Sequence, residues 1–448
     1  MCVSSKQSIQ HFFKLLVFFE TYMSHCAYSI GNTVCFSSVN ESNSGREVKT
    51  PGVFLPASGA PCTGCGLCVS VCGQKAIRMK ENAEGFLVAV VDEAACIGCK
   101  ACEKMCARLA AVGGHESHRF YEAWSKNNAQ RAASSSGGVF GELAADCIQR
   151  GGVVYGVAMR GGEFPKFVAV ERVEDLALLR GSKYLQADTG NVFRQMATAL
   201  KAGRPVLLAG VSCQARAARA RFGERYDNLL LVDLACFGVP SRHLWRNFES
   251  GLDNRSGITS VAFRDKNRSW RDYSMRITHA DGACTLIHKE DNPFMKGFLC
   301  HLGLNECCYT CRSAVADRPG DISLGDFWGR PRQDDEHQGV SVVITHTPKG
   351  EAALERIRPA LHLEPADESR ALADNGGLIA HTGGIPLRRA AFLRALRSQP
   401  LHRALTRFLD SSNRPRPGLL LCGCFLPYPA ILRKIVRKIR KLHGSHGS

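Results

Sequence analysis

The chain has 448 residues, 45% of them hydrophobic and 22% charged, with 21 cysteines and a formal net charge of +17. That length and balance suit a folded protein of more than one domain and exclude a disordered, collagen-like or small disulfide-stapled chain. The cysteines do not form a disulfide framework and no convincing signal peptide precedes them, so a reducing cytoplasm is the expected compartment.

In chain order, residues 1–56 read as a weakly ordered extension with Ser and Asn clusters. It contains Cys2, Cys26 and Cys35, which receive no role, and an apolar stretch from Phe12 to Phe19 that is interrupted by Lys14 and too short to span a bilayer. Residues 57–112 carry two cysteine runs of identical spacing, Cys62-x2-Cys65-x2-Cys68-x3-Cys72 and Cys96-x2-Cys99-x2-Cys102-x3-Cys106. Thiolates at this spacing wrap the irons of a 4Fe-4S cluster, a one-electron carrier, and in two-cluster ferredoxins the fourth Cys of each run crosses to the other cluster. The expected ligand sets are Cys62, Cys65, Cys68 and Cys106 for one cluster, and Cys96, Cys99, Cys102 and Cys72 for the other. Zinc prefers paired knuckles around a tetrahedral ion and does not account for a triplet plus a fourth Cys, twice over. Gly73 and Ala107 stand where such runs usually carry Pro, a departure that removes no ligand. Gly85 to Val91 predicts a strand between the runs, and a short helix is expected after each.

A polar connector, Gly113 to Asn128, leads into a pattern of alternating helices and strands. Val139 to Arg150 predicts a helix ended by Gly151 and Gly152. Val153 to Met159 and Phe167 to Glu171 predict strands, with helices at Glu174 to Leu179 and Asn191 to Ala202. Two short apolar strands, Pro205 to Gly210 and Asn228 to Asp233, flank a helix from Gln214 to Phe222. Apolar strands between amphipathic helices argue for an α/β sheet covered on both faces. Val261 to Arg264, Ser274 to Ile277 and Cys284 to Ile287 suggest antiparallel strands. Val340 to His346 adds another before a helix from Gly350 to Arg358, and beyond Gly384 the chain reads as helical. The expected fold is thus an α+β ferredoxin-like two-cluster domain, then an α/β domain with a mixed sheet over 113–385, then a basic helical extension over 386–448.

In that extension Ile431, Leu432, Ile435, Ile439 and Leu442 recur at helical spacing. Arg433, Lys434, Arg437, Lys438, Arg440 and Lys441 fill the other faces with no acid among them. Such a helix lies on an anionic membrane surface or docks, solvated, on its own protein. Peripheral contact with the inner face of a membrane is therefore an expectation. Nucleic acid is not, because no recognition motif or aromatic-interleaved basic strand is present.

Two further groups of residues carry chemistry. Ser134 to Gly138 opens a helix with capping hydroxyls, close backbone approach and free N–H groups, the elements of a phosphate site and equally of any Ser-rich loop. Cys213 and Cys236 each follow a buried strand, so both fall at the carboxyl edge of the sheet, and Cys308-Tyr-Thr-Cys311 is a CxxC pair. Spacing alone leaves open a third four-thiolate site or four inert buried thiols.

From Ser135 to Thr347 the sequence resembles the beta subunit of coenzyme F-420-reducing hydrogenases and dehydrogenases, an iron–sulfur flavoprotein. The matching segments are Ser135 to Gly138, Gly181 to Tyr184 with Asp188 to Gly190, Val211 to Gln214 and Cys236 to Pro240. Phe263 to Asp265, Cys308 to Cys311 and Asp321 to Gly329 follow in the same order. The resemblance implies FAD beside a third 4Fe-4S cluster, with Cys213, Cys236, Cys308 and Cys311 as its ligands and Cys307 as the nearest rival. It implies Ser135, Ser136, Gly137 and Gly138 at the flavin phosphates. Ser182, Lys183 and Tyr184 would line the flavin, and Asp326 would stand at the pocket. Lys183 is the catalytic candidate, as a cation beside the reduced flavin, and a solvated surface Lys is the alternative. A flavin accepts one or two electrons and so belongs between clusters and a small-molecule hydride acceptor. That acceptor would be coenzyme F-420-like or an unsaturated substrate, with surface-polysaccharide biosynthesis among the settings the resemblance leaves open and a ferredoxin or other redox protein as partner. The alternative is an electron-transfer subunit with no substrate site of its own.

Overall fold

The structure, a computed structural model, describes residues 59–109, 118–252, 256–329, 337–379 and 384–409. The extension over 1–56, with Cys2, Cys26 and Cys35, and the basic segment from Ile431 to Leu442 lie outside the described residues.

The two cysteine runs frame a hairpin of β1 (Ile77–Glu81) and β2 (Leu87–Val91), paired antiparallel from Ile77 opposite Val91 to Glu81 opposite Leu87. The helices here, α1 (Leu67–Val71) and α2 (Ala101–Lys104), lie within the runs rather than after them. Helical turns inside a run are what bring thiols three residues apart to one side. Gly66 and Lys100 open these helices from the left-handed region, with φ of 71° and 57°. A Cβ on Gly66 would stand 2.0 Å from Thr189 Oγ1, and one on Gly64 2.2 Å from Gln186 Nε2. Both positions are kept bare because the segment 186–189 docks there. Gln186 accepts from Leu87 N (2.7 Å) and donates to Leu87 O (3.1 Å), so its amide completes the edge of β2, while Thr189 Oγ1 donates to Cys65 O (3.2 Å).

The main domain is an eight-stranded mixed sheet of β3 (Arg119–Ser125), β4 (Val153–Ala158), β5 (Lys166–Val170), β6 (Val206–Val211), β7 (Leu229–Leu234), β11 (Ile322–Asp326), β12 (Ser341–Thr345) and β13 (Leu361–Pro365), in spatial order β13-β3-β12-β11-β7-β6-β4-β5. β4, β6, β7 and β11 run parallel and the outer pairings are antiparallel, which is the expected mixed sheet. The remaining strands, β8 (Ile258–Asp265), β9 (Ser274–His279) and β10 (Cys284–His288), form a separate antiparallel sheet. β3 corrects the reading of 113–128 as a connector. Its Tyr121, Ala123 and Ser125 are buried in alternation, and Glu122, which gives the segment its polar look, is also buried and pairs with Arg370 (3.5 Å).

Helices cover both faces of the large sheet. On one face, α3 (Val139–Gln149) and, later in the chain, Pro348–Ile357 pack through Leu143, Ala144, Leu354 and Ile357. The expected helical segment at Glu174 to Leu179 is a 3-10 helix over Val173–Leu179. On the other face, α4 (Val192–Lys201) and α5 (Ser212–Phe222) share a core with Leu67 and Ala107, so the two-run segment is rooted in the same hydrophobic layer as the sheet. A third core gathers Trp245, Phe248, Phe263 and Phe294 from α6 (Arg242–Ser250), β8 and α7 (Pro293–Leu299). After the four-residue α8 (Glu306–Tyr309), the last described helices, α9 (Arg389–Ser398) and α10 (Leu401–Leu409), join this core through Phe392, Leu396, Leu405 and Phe408. Among the described residues no helix is long and apolar enough to cross a membrane.

Candidate redox centres and flavin site

The fourth Cys of each run lies near the triplet of the other run. Cys68 has Cys65, Cys62 and Cys106 around it, whereas Cys102 has Cys72. Burial pushes the Cys65 thiol up to about 11 and raises Cys68 and Cys106 as well. Cys96 and Cys99 are exposed at the surface of the second run.

Parallel neighbours β6 and β7 end side by side, with Val211 opposite Leu234. Cys213 on the first turn of α5 and Cys236 just past β7 therefore meet at the carboxyl edge. Gly238 N donates to Cys236 Sγ (3.4 Å). α8 and the turn after it bring Cys308 and Cys311 to the same place. All four line one cavity of about 290 Å³, closed on one side by Thr63, Ala107 and Arg108 of the two-run segment. Arg108 ties the two parts together by donating to Thr310 O (3.2 Å) and Thr310 Oγ1 (2.6 Å), and Asn305 Nδ2 donates to Cys62 O (3.3 Å). Cys307 also lines the cavity, its Sγ 4.0 Å from that of Cys308.

Burial drives Cys236 up to about 12 and Cys213 well above its ordinary value. Cys213 and Cys236, disfavoured as anions by burial, make with Cys308 and Cys311 a four-thiol donor set that fits a cationic iron group, because a coordinating thiol is deprotonated outright. Among the described residues no three His, Cys, Asp or Glu gather tightly enough for a single ion. The wall behind Cys236 is fixed by Arg318 and Asp233, both fully buried. Arg318 Nε donates to Asp233 Oδ1 (2.8 Å), and its other nitrogens reach Ser313 O (3.4 Å), Gly377 O (3.3 Å) and Leu234 O (2.9 Å).

The flavin candidates also converge. Ser135 Oγ accepts from Ser182 N (2.7 Å), joining the Ser-Gly-Gly loop to the Gly181–Tyr184 segment. Ser136 Oγ donates to Val340 O (2.8 Å) and Gly137 N to Ser341 Oγ (3.0 Å), which seat the loop against β12. Gly138, with φ 88°, caps α3 without a side-chain hydrogen bond, so the helix start offers bare N–H groups. Asp326, at the end of β11, accepts from Arg264 Nη1 (2.6 Å), and Tyr184 lies beside that pair. Asp326 Oδ1, Arg264 Nε and Gln338 Oε1 are buried with no hydrogen-bond partner among the described residues. A bare helix start, a glycine cradle and orphaned polar atoms fit a polar, phosphate-bearing group.

Lys183 is placed differently from its expected role. Its Nζ donates to Leu178 O (3.4 Å), Leu179 O (3.1 Å) and Arg180 O (2.8 Å), so the amine closes the end of the 3-10 turn. Burial lowers it to about 8. The cations facing Asp326 and the loop are instead Arg264 and Lys266, the latter donating to Arg131 O (2.8 Å), Ser136 O (2.9 Å) and Gln338 O. Burial and Arg264 lower Lys266 to about 7. The segment Phe263 to Asp265 was a visible signal for Arg264, whereas nothing in the sequence pointed to Lys266 or Arg318.

A Cβ on Gly137 would stand 2.4 Å from Ala123 O and 2.9 Å from Ser341 N, both backbone atoms that cannot swing aside. Gly137→Ala is therefore expected to cost about 1–3 kcal/mol through overpacking and to loosen the loop. Thermal unfolding and FAD content after reconstitution check this, and an unchanged melt with full FAD would contradict it.

The fold and these sites define an iron–sulfur redox protein: a dicluster module rooted in a mixed α/β domain. Comparison with known proteins makes this specific. The family model for the C terminus of the coenzyme F420 hydrogenase/dehydrogenase beta subunit matches residues 203–369, its N-terminal counterpart matches 120–194, and a 4Fe-4S dicluster domain model matches 61–110. The chain belongs to the family of coenzyme F420 hydrogenase/dehydrogenase beta subunits, which are components of oxidoreductases. It is 29% identical over 188 residues to the F subunit of the F(420)H(2) dehydrogenase of Methanosarcina mazei, a match covering 39% of this chain and 53% of that protein, so it spans about half the length of this relative. Among solved structures it is similar to a chain of the F420-reducing [NiFe] hydrogenase complex from Methanosarcina barkeri, with 17% identity, a TM-score of 0.41, and coverage of 71% of this chain and 98% of that one.

Proposed function

We propose that the protein is an iron–sulfur flavoprotein oxidoreductase that passes electrons between a ferredoxin-type protein and an organic hydride acceptor, either a coenzyme F420-like deazaflavin or an unsaturated substrate. The observation that carries this reading is the single cavity lined by Cys213, Cys236, Cys308 and Cys311 and walled by the two-run segment. Bound clusters supply one-electron transfer, and bound FAD supplies exchange between single electrons and hydride. In this reading Cys62, Cys65, Cys68 and Cys106 hold one cluster, and Cys96, Cys99, Cys102 and Cys72 another. The cavity cysteines hold a third, and Cys307 stands by as a neighbour. Ser136, Gly137 and Gly138 receive the flavin phosphates at the start of α3, while Ser135 and Ser182 fix the loop. Tyr184 and the Arg264–Asp326 pair line the pocket, and Lys183 positions the segment that carries Tyr184.

Anaerobic purification and reconstitution with iron and sulfide, followed by iron and FAD analysis, tests the proposal. About twelve irons and one FAD per chain are expected. About eight irons and no FAD would overturn it in favour of a ferredoxin-like electron-transfer subunit with no substrate site of its own.

A further inference from the structure

The positive charge of the chain is concentrated at one end. Residues 375–448 hold fourteen Lys or Arg and a single acid, Asp410, so they supply +13 of the +17. Part of this region is described. α9 and α10 turn Phe392, Leu393, Leu396, Leu401, Leu405 and Phe408 into the third core, and their opposite sides present Arg394, Arg397, Arg403 and Arg407 to solvent. No carboxylate lies on either helix.

Where the two helices meet, apolar side chains stay outside. Arg388 donates to Arg407 O (3.0 Å) and Phe408 O (3.4 Å), which brings the start of α9 against the end of α10. The adjoining Leu387 is 90% exposed and Leu409 37% exposed. The guanidiniums of Arg388 and Arg407 lie 4.8 and 5.5 Å from the Phe408 ring centre. Leucines standing in water between arginines that outnumber the acids at this edge, Asp410 and the Glu84 paired with Arg389, match the chemistry of an anionic lipid interface: aliphatic groups enter the acyl boundary and guanidiniums pair with headgroup phosphates. The sequence past Leu409 has the same character, with the apolar run Leu419 to Leu421, then Phe425, Leu426 and Tyr428, ahead of the basic cluster from Arg433 to Lys441.

We infer that the outer face of α9 and α10, with Leu387 and Leu409 at its edge, is a docking surface for an anionic membrane. The inference does not depend on the flavin reading, since none of these residues belongs to the redox sites. A protein partner with an acidic surface is the competing occupant, and the test separates the two.

The full chain would be floated with vesicles of equal parts phosphatidylglycerol and phosphatidylcholine, and with pure phosphatidylcholine vesicles. Binding to the anionic vesicles alone, weakened by salt, is expected. The triple variant Arg394→Gln, Arg397→Gln, Arg403→Gln is expected to bind about a hundredfold more weakly, from three lost surface cations. Leu387→Asp should weaken binding as well, while iron content and thermal unfolding stay as in the parent chain for both variants. Absence of vesicle binding, as for a face that takes an acidic protein, would overturn the inference. So would equal binding to neutral vesicles, or wild-type binding by both variants, which would assign any lipid contact to residues beyond Leu409.

Discussion

Cys213→Ser is expected to lower the reconstituted iron content from about twelve to about eight atoms per chain while leaving the two-run segment loaded. The reason is the separation of the sites. Cys213 stands on α5 in a cavity whose other cysteines come from beyond β7 and from α8 with the turn after it, so its loss empties one donor set and leaves the eight run cysteines untouched. Cys236→Ser should behave alike. Cys307→Ser should keep all twelve or so irons, because Cys308, the CxxC member, is the assigned ligand. Iron analysis with the visible spectrum reads each outcome, and a Cys213→Ser protein with full iron would remove the third site. FAD content is the second readout. The Ser-Gly-Gly loop and the Arg264–Asp326 pair share no residue with the cavity, so flavin is expected to stay bound while its reduction by an external one-electron donor is lost.

The second large effect concerns stability. Asp233 and Arg318 are both fully buried, their ion pair measures 2.7 Å, and Asp233 also accepts from Gly320 N (3.0 Å) and Ser323 Oγ (2.6 Å). Removing one partner strands the other charge in the interior, so Asp233→Ala and Arg318→Met should each cost about 3–5 kcal/mol. The double variant should cost less than the sum, because neither charge is then left unpaired. Denaturant unfolding of the four proteins checks this, and additive losses would mean the two residues act independently. Arg318 also reaches Ser313 and Gly377 in the cavity wall, so the same variants should lose iron from the third site first.

Features set by local spacing were legible in the sequence. The two runs announced a dicluster module, and the apolar strands β6 and β7 announced a covered sheet whose loops bring Cys213 and Cys236 together. What escaped depended on partners distant in sequence. β3 looked like a connector because Glu122 reads as solvated until Arg370 is placed beside it. β11 is an unremarkable five residues until β7 and β12 flank it. The amine of Lys183 could not be assigned without seeing the 3-10 turn it closes, since a basic residue near a cofactor motif reads as a pocket cation or as a solvated surface Lys. Asp188 to Gly190 stands in the sequence only as a matching string, yet Thr189 meets the bare Gly66 and holds the two-run segment in place.

The two runs share one spacing but not one environment. Cys65 and Cys68 sit where burial raises their thiols, whereas Cys96 and Cys99 face solvent and Ile97 between them is 68% exposed. Identical motifs thus differ in durability. Oxidants reach exposed sulfur first, so air would corrode a centre held by the second run before one held by the first, and a sample handled carelessly would fail at its doorway before its interior.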